Sequence, residues 1–146
     1  VFQSFNLVTR TSVIKNVLTS RVPDMPLWKS IIGLYSKEDK VVALEALDKV
    51  GILDKAYVRA DQLSGGQQQR TSIGRALINR PSIVLADEPT GNLDSKNSKE
   101  IVELLKVSVK KYNQTLIMIT HDTNIALQAD RVITIEDGII KSDEVI

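Results

Sequence analysis

The chain has 146 residues, of which 42% are hydrophobic and 25% charged, a balance typical of a globular protein with room for one core. Its net charge of +1 gives no argument for a nucleic-acid partner, and the lack of cysteine excludes disulfides and thiolate metal sites. No apolar run approaches the roughly 20 residues that span a bilayer and no signal peptide is visible, so we expect any membrane role to come through a partner.

The first part of the chain carries mainly helical signals. Apolar residues at helical spacing predict helices over 12–19 and 38–50, and Gly51 is placed to end the second one. Between them, residues 20–36 contain two prolines and a glycine, which indicates a short irregular excursion with exposed apolar groups. We predict that the chain is helical overall from residue 12 to about 80.

The pattern changes after residue 82. Short apolar runs alternate with amphipathic segments, which predicts strands joined by helices and therefore a parallel sheet. Asp137-Gly138 between two apolar runs predicts a hairpin. We therefore divide the chain into a helical part, 1–80, and an α/β part, 81–146. The predicted elements of the second part are a strand at 83–86, a helix at about 96–111, a strand at 115–120, a short helix at about 123–128 and a strand at 131–136.

A helix start with anion-binding character lies at Ser64-Gly65-Gly66-Gln67. Ser64 and Gln67 have the spacing of a capping box, and the two glycines let a ligand approach the backbone closely. Free N–H groups and the positive dipole end of a helix attract phosphate. The alternative is an ordinary capped helix after a glycine turn.

Polar side chains follow two predicted buried strands. Asp87 and Glu88 end the first strand, and His121, the only histidine, follows the second. Ligands of open α/β sheets bind at this carboxyl edge, where Asp87 fits Mg²⁺ and Glu88 could orient or deprotonate a water. The alternatives are carboxylates that simply face solvent and a structural histidine.

Four strings in a defined order carry the strongest signal in the chain. They are Leu63-Ser64-Gly65-Gly66-Gln67, Ile83-Val84-Leu85-Ala86-Asp87-Glu88, Gly91-Asn92-Leu93-Asp94 and His121. In this order they resemble the signature motif, the Walker B motif, the D-loop and the switch histidine of the ATPase subunits of ABC transporters. The opening residues 1–7 resemble that family's Q-loop, with Gln3 as its glutamine.

The resemblance covers essentially the whole chain but only the later part of a complete ATPase domain. The family's phosphate-binding loop, G-x-x-x-x-G-K-[ST], is absent, since the chain contains no Gly-Lys pair. The resemblance implies an incomplete α/β core of the P-loop NTPase type together with an α-helical subdomain. We expect the chain to be part of a longer protein, an ATPase in its full length, and to be inactive when isolated.

Roles for single residues follow from the resemblance alone. It implies that Asp87 and Gln3 hold Mg²⁺, that Glu88 activates the attacking water, and that His121 contacts the γ-phosphate. Two subunits of this family enclose two ATP molecules, so Ser64, Gly65, Gly66 and Gln67 would close over the ATP of the other subunit, and Asp94 would lie at the subunit contact.

The resemblance also implies partners and a location. It implies ATP and Mg²⁺ as ligands, a second ATPase subunit in a homodimer, transmembrane permease subunits, and a peripheral location on the cytoplasmic face of the membrane. The region from Gln3 to about Tyr35 would dock the membrane partner through Leu27, Trp28, Ile31, Ile32 and Tyr35. Alternatively, Trp28 closes a small core of the helical subdomain.

Two transporter types and two other functions remain open at this point. Residues 26–30 and 59–62 resemble phosphonate importers, whereas residues 86–95 and 120–122 resemble lipoprotein-release and macrolide-export ATPases. Residues 20–36 are the more individual region of the chain, so we favour an importer of the phosphonate type. The chain could instead be a non-catalytic fragment that folds or self-associates, or an ABC protein without a membrane partner.

Overall fold

The computed structural model describes residues 1–2, 4–26, 28 and 33–146, with the side chain of Asp24 left aside. The helical part begins with helix α1 (Val13–Leu18), which continues into a 3₁₀ helix (Thr19–Asp24), and helix α2 (Lys37–Lys49) follows. Both helices confirm the predicted segments to within about a residue at most ends. The excursion predicted for 20–36 lies partly outside the described residues.

The end of helix α2 shows how a glycine sets a helix boundary. Gly51 has a φ of +72°, a conformation that disfavours other residues. The Gly51 amide donates to Asp48 and the Ile52 amide donates to Leu47, which is the Schellman pattern of C-terminal capping. Ile52 and Leu47 are both buried, so the turn also closes an apolar contact.

Two short 3₁₀ helices, Leu53–Lys55 and Ala60–Gln62, lead to helix α3 (Gly65–Leu77). The predicted helical character of residues 12–80 is therefore correct for three α-helices, while much of the stretch between α2 and α3 consists of tight turns.

The α/β part contains one parallel crossover. Strand β1 (Ile83–Asp87) leads through helix α4 (Ser95–Lys111) to strand β2 (Thr115–Ile119), and the two strands pair in parallel with Ile83 opposite Thr115 and Asp87 opposite Ile119. The carboxyl ends of β1 and β2 therefore meet at one edge, which confirms the crossover expected from the sequence.

The third strand departs from the prediction. After the short helix α5 (Thr123–Ala126), strand β3 (Arg131–Glu136) pairs in antiparallel fashion with β4 (Ile139–Val145), and these two form a separate sheet among the described residues. Positive φ angles at Asp137 and Gly138 indicate the tight primed turn that the sequence predicted. Because this turn pairs β3 with β4, β3 does not extend the parallel sheet as the alternation implied.

One apolar core joins the helices to the inner face of β1. It includes buried side chains of α1, α2, α3, β1 and α4, among them Val17, Leu47, Ile73, Ala86 and Leu105. Full burial of a valine, leucine or isoleucine side chain contributes about 1.5–3 kcal/mol. Helix α3 packs against α1 and α2, which precede residue 80, and against α4, which follows it. The domain boundary at 80 stays a prediction.

The outer face of the parallel sheet is apolar and exposed. Ile83, Leu85, Ile117 and Ile119 are each at least half exposed. The accessible surface is 9280 Å², whereas a compact monomer of this mass has about 7,500 Å². No helix among the described residues has the length and apolarity needed to cross a membrane.

Candidate functional site

The turn that follows β1 places two carboxylates at the edge of the sheet. Asp87 is exposed and is the last residue of β1, and its amide donates to the Val1 carbonyl at 2.8 Å. Glu88 follows with a φ of +44°, and its amide donates to the Ile119 carbonyl at 2.9 Å. Such a left-handed conformation costs about 1–3 kcal/mol in a residue other than glycine and is typical of functional sites.

The structure brings Glu88 and His121 into contact. The Nδ1 atom of His121 lies 2.7 Å from Oε1 of Glu88. A carboxylate can only accept, so Nδ1 carries the proton in this contact, and in a neutral ring Nε2 then remains an acceptor. The His121 side chain is 81% exposed and that of Glu88 20%, so solvent weakens the attraction and the contact mainly orients the two groups.

The start of helix α3 has the capping box that the sequence predicted. The Gln67 amide donates to Ser64 Oγ at 3.4 Å, and the Ser64 amide donates to Gln67 Oε1 at 3.1 Å. Both side chains are therefore engaged in local hydrogen bonds. The positive end of the helix dipole at this point still favours an anion.

The two glycines of this helix start allow a close approach by the chain itself. A Cβ on Gly66 would lie 2.6 Å from Oδ1 of Asn97, and a Cβ on Gly65 would lie 3.5 Å from Leu93. The sequence predicts that these glycines admit a ligand, and that role stays a prediction. The structure shows a second reason for Gly66, because the Asn97 side chain in the first turn of helix α4 lies where a Cβ would be.

Asp94 begins helix α4 and is fixed by Asn97. Asp94 Oδ1 accepts from the Asn97 amide at 2.8 Å, and Oδ2 accepts from Asn97 Nδ2 at 2.7 Å. These bonds, the backbone one first, lower the pKa of the Asp94 carboxyl. Sequence reasoning missed Asn97, although its place three residues after a capping aspartate was a usable signal.

A buried glutamine connects the two groups of predicted residues. Gln69 of α3 donates from Nε2 to the Pro89 carbonyl at 2.6 Å, directly after Glu88. The structure thus forms one group from Asp87, Glu88 and His121, and a second from Ser64, Gly65, Gly66, Gln67 and Asp94, with the turn 88–94 between them. Gln69 lies two residues beyond the string Leu63–Gln67, and the sequence alone assigned it no role.

The residues at the sheet edge fit a metal site that takes only one or two of its ligands from the protein. Among the described ranges, no three His, Cys, Asp or Glu side chains are grouped so that they could hold a metal. Mg²⁺ typically takes one or two protein carboxylates and completes its shell with water and phosphate oxygens, so the exposed Asp87 carboxylate fits that chemistry.

Several residues with a predicted role lie outside the described part of the chain. Gln3 lies outside the described residues, as do Leu27, Ile31 and Ile32. Of the other two residues predicted to dock a membrane partner, Trp28 is 58% exposed and Tyr35 is half-buried against the core.

The chain is similar to known proteins over nearly its whole length. The model of the family described as ABC transporter matches residues 1–91. The chain is 54% identical, over 144 residues, to the phosphonates import ATP-binding protein PhnC of Lactococcus lactis subsp. lactis (strain IL1403). The aligned region covers 98% of this chain but 58% of that protein, so the chain spans little more than half the length of this relative.

Solved structures with the same fold include a bacterial ABC transporter cassette, MJ0796, in a dimeric form. It is 38% identical to the chain with a TM-score of 0.80, and the match covers 99% of this chain and 61% of that one. A post-hydrolysis dimer of the same cassette, bound to ADP and Pi, is 37% identical with a TM-score of 0.79 and the same coverage.

Proposed function

Since this chain belongs to the ABC transporter family, we propose that it forms the later part of an ATP-hydrolysing subunit that drives phosphonate import. The observation that carries the proposal is the 2.7 Å contact between Glu88 and His121 at the carboxyl edge of the sheet. The phosphonate assignment rests on the printed name of the Lactococcus relative and on the individual region before the signature motif.

Each residue at the edge has a role in phosphoryl transfer. Glu88 accepts a proton from the attacking water or aligns it, and its contact with His121 keeps the carboxylate in one orientation. His121 contacts the γ-phosphate through the ring. Asp87 and Gln3 would hold Mg²⁺, which when bound neutralises charge on the phosphates. Little covalent chemistry is asked of the protein, so positioning dominates.

Two subunits are needed for a complete site in this proposal. Ser64, Gly65, Gly66 and Gln67 sit at a helix start beside the turn 92–97, and together with Asp94 they would face the ATP of a second subunit. The dimeric form of the similar MJ0796 cassette supports this arrangement. Transmembrane permease subunits would complete the transporter, and the protein would then lie at the cytoplasmic face of the membrane.

One alternative deserves a separate test. The 146 residues contain no G-x-x-x-x-G-K-[ST] string, which favours a non-catalytic role for the chain by itself. The two functions differ in nucleotide turnover by a protein of the relatives' full length, and not in the fold.

The test uses variants in a protein of that full length. Glu88→Gln should keep ATP binding and lose about 10²–10⁴-fold in turnover, because an amide cannot accept the proton. His121→Ala should behave similarly, and Asp87→Asn should first weaken the Mg²⁺ dependence.

Glu103→Gln, an exposed change on α4, is the control. Phosphate release by Glu88→Gln near the rate of the control would contradict the assigned role, and phosphonate-dependent stimulation in membranes tests the substrate class.

A further inference from the structure

Gln69 is a buried polar residue, and a contribution to folding stability does not explain why a glutamine occupies this position. Its side chain is fully buried in helix α3, and Nε2 donates to the Pro89 carbonyl at 2.6 Å. Oε1 is also buried and has no hydrogen-bond partner among the described residues. A half-satisfied buried amide is costly, and an apolar side chain of similar size would avoid that cost. The single bond to Pro89 is therefore the feature that calls for a function.

The carbonyl that Gln69 binds belongs to a strained turn. Glu88, one residue earlier, has a φ of +44°. The turn is held from β2 by the Glu88 amide, which donates to Ile119, and internally by the Gly91 amide, which donates to the Glu88 carbonyl at 3.1 Å. A strained conformation persists only where the surrounding structure over-determines it. Gln69 supplies a third fixed point, and it does so from helix α3.

We propose that Gln69 is a positioning residue that holds the 88–91 turn so that the Glu88 carboxylate stays in contact with His121. Gln69 has no hydrogen bond to either side chain among the described residues and acts through the Pro89 carbonyl. Pro89 directly follows Glu88 in the chain. A small shift of the Pro89 carbonyl therefore rotates the backbone that carries the Glu88 carboxylate. The catalytic consequence rests on the proposed function, whereas the effect on the turn does not.

The chain contains a matched control for the test. Gln114 also donates from Nε2 to a proline carbonyl, that of Pro81, and its Oε1 is likewise buried and without a partner among the described residues. Pro81 precedes β1 and Gln114 precedes β2, so this second contact lies at the opposite end of the sheet from Glu88. Gln69→Met and Gln114→Met remove the same kind of bond and keep a similar volume.

The first measurement uses the 146-residue chain and needs no activity. Hydrogen exchange should become about tenfold faster at the Glu88 and Gly91 amides in Gln69→Met, and should stay at the wild-type rate there in Gln114→Met. Gln69→Asn, which keeps an amide but is one methylene too short to reach Pro89, should match Gln69→Met. If Gln69→Met does not fold, the exchange rates of Gln69→Asn decide whether Gln69 holds the turn.

The second measurement uses a protein of the relatives' full length. Gln69→Met should lower kcat by about 10–100-fold, because displacement of a catalytic group by about 1 Å has an effect of that size. KM for ATP should remain within about twofold of the wild-type value, because the Gln69 side chain is fully buried and is not among the residues assigned to the nucleotide. Gln114→Met should leave both constants unchanged.

The outcomes separate the two proposals. A wild-type protein that does not hydrolyse ATP overturns the proposed function, and the exchange rates then still decide the role of Gln69. Unchanged exchange at Glu88 and Gly91 in the folded Gln69 variants overturns the positioning role. Equal losses in the Gln69 and Gln114 variants also overturn it, because they would indicate a general structural contribution.

Discussion

Replacing Gly66 by alanine tests how helices α3 and α4 approach each other. The new Cβ would lie 2.6 Å from Oδ1 and 3.2 Å from Cγ of Asn97. Asn97 cannot easily turn away, because its Nδ2 donates to Asp94 at 2.7 Å. Overpacking of this kind costs about 1–3 kcal/mol. Against this, exchanging glycine for alanine in a helix contributes up to about 1 kcal/mol of stability. We therefore expect Gly66→Ala to be destabilising by roughly 0–3 kcal/mol.

The background Asn97→Ala removes the obstruction. The two close atoms disappear, and the remaining Asn97 Cβ is 3.7 Å from the position of the new methyl group, an ordinary contact. In that background Gly66→Ala should be neutral or stabilising by up to about 1 kcal/mol. The cycle of four proteins should thus give a coupling free energy of about 1–3 kcal/mol. The lost Asp94 contact occurs on both Asn97→Ala arms and cancels.

Urea unfolding of the four proteins, followed by far-UV circular dichroism, measures this coupling from midpoints at a common m-value. Gly74→Ala on the same helix is the control, because its nearest contact would be Val50 at 3.5 Å, so the two backgrounds should give the same change. If the Gly66 and Asn97 changes are additive within about 0.5 kcal/mol, the close approach of α3 and α4 at Gly66 does not exist in solution.

Three further predictions concern the chain as a whole. Calorimetric titration of the 146-residue chain with Mg-ATP should show no low-micromolar binding, because the phosphate-loop string is absent. Binding in that range, with a free energy of about −8 kcal/mol, would refute the expectation. The outer face of β1 and β2 is exposed, and one edge of β2 pairs with no described strand, so the chain should self-associate as its concentration rises. Ile117→Lys should reduce this in light scattering, and a monomer over a wide concentration range would count against it. The Arg21 hydrogen bond lowers the pKa of Asp39, so this carboxylate stabilises the fold above its unfolded pKa of about 3.9, and the contribution is lost as pH falls through the lower folded value. The difference in urea midpoint between wild type and Asp39→Asn should therefore be constant above about pH 5 and shrink below about pH 4, and a difference independent of pH would contradict the role of Arg21.

The local elements could be read from the sequence because short-range chemistry determines them. The capping box of Ser64 and Gln67, the helix end at Gly51 and the hairpin turn at Asp137-Gly138 each depend on residues within about five positions of one another. The motif strings carried the family as well, since their order and spacing are specific. The edge that joins Asp87, Glu88 and His121 followed from a general rule, that parallel strands present their carboxyl ends together.

Only the tertiary structure decided the contacts between residues that lie far apart in the chain. The bond from Gln69 to Pro89 spans 20 positions, and the Gly66–Asn97 approach depends on how two helices cross. The left-handed turn at Glu88 is also a tertiary effect, because a glutamate adopts it only when β2 and α3 hold the flanking backbone. The pairing of β3 with β4 is local, because the turn at Asp137-Gly138 joins the two strands directly. Only the structure shows that β3 stays apart from the parallel sheet of β1 and β2 among the described residues.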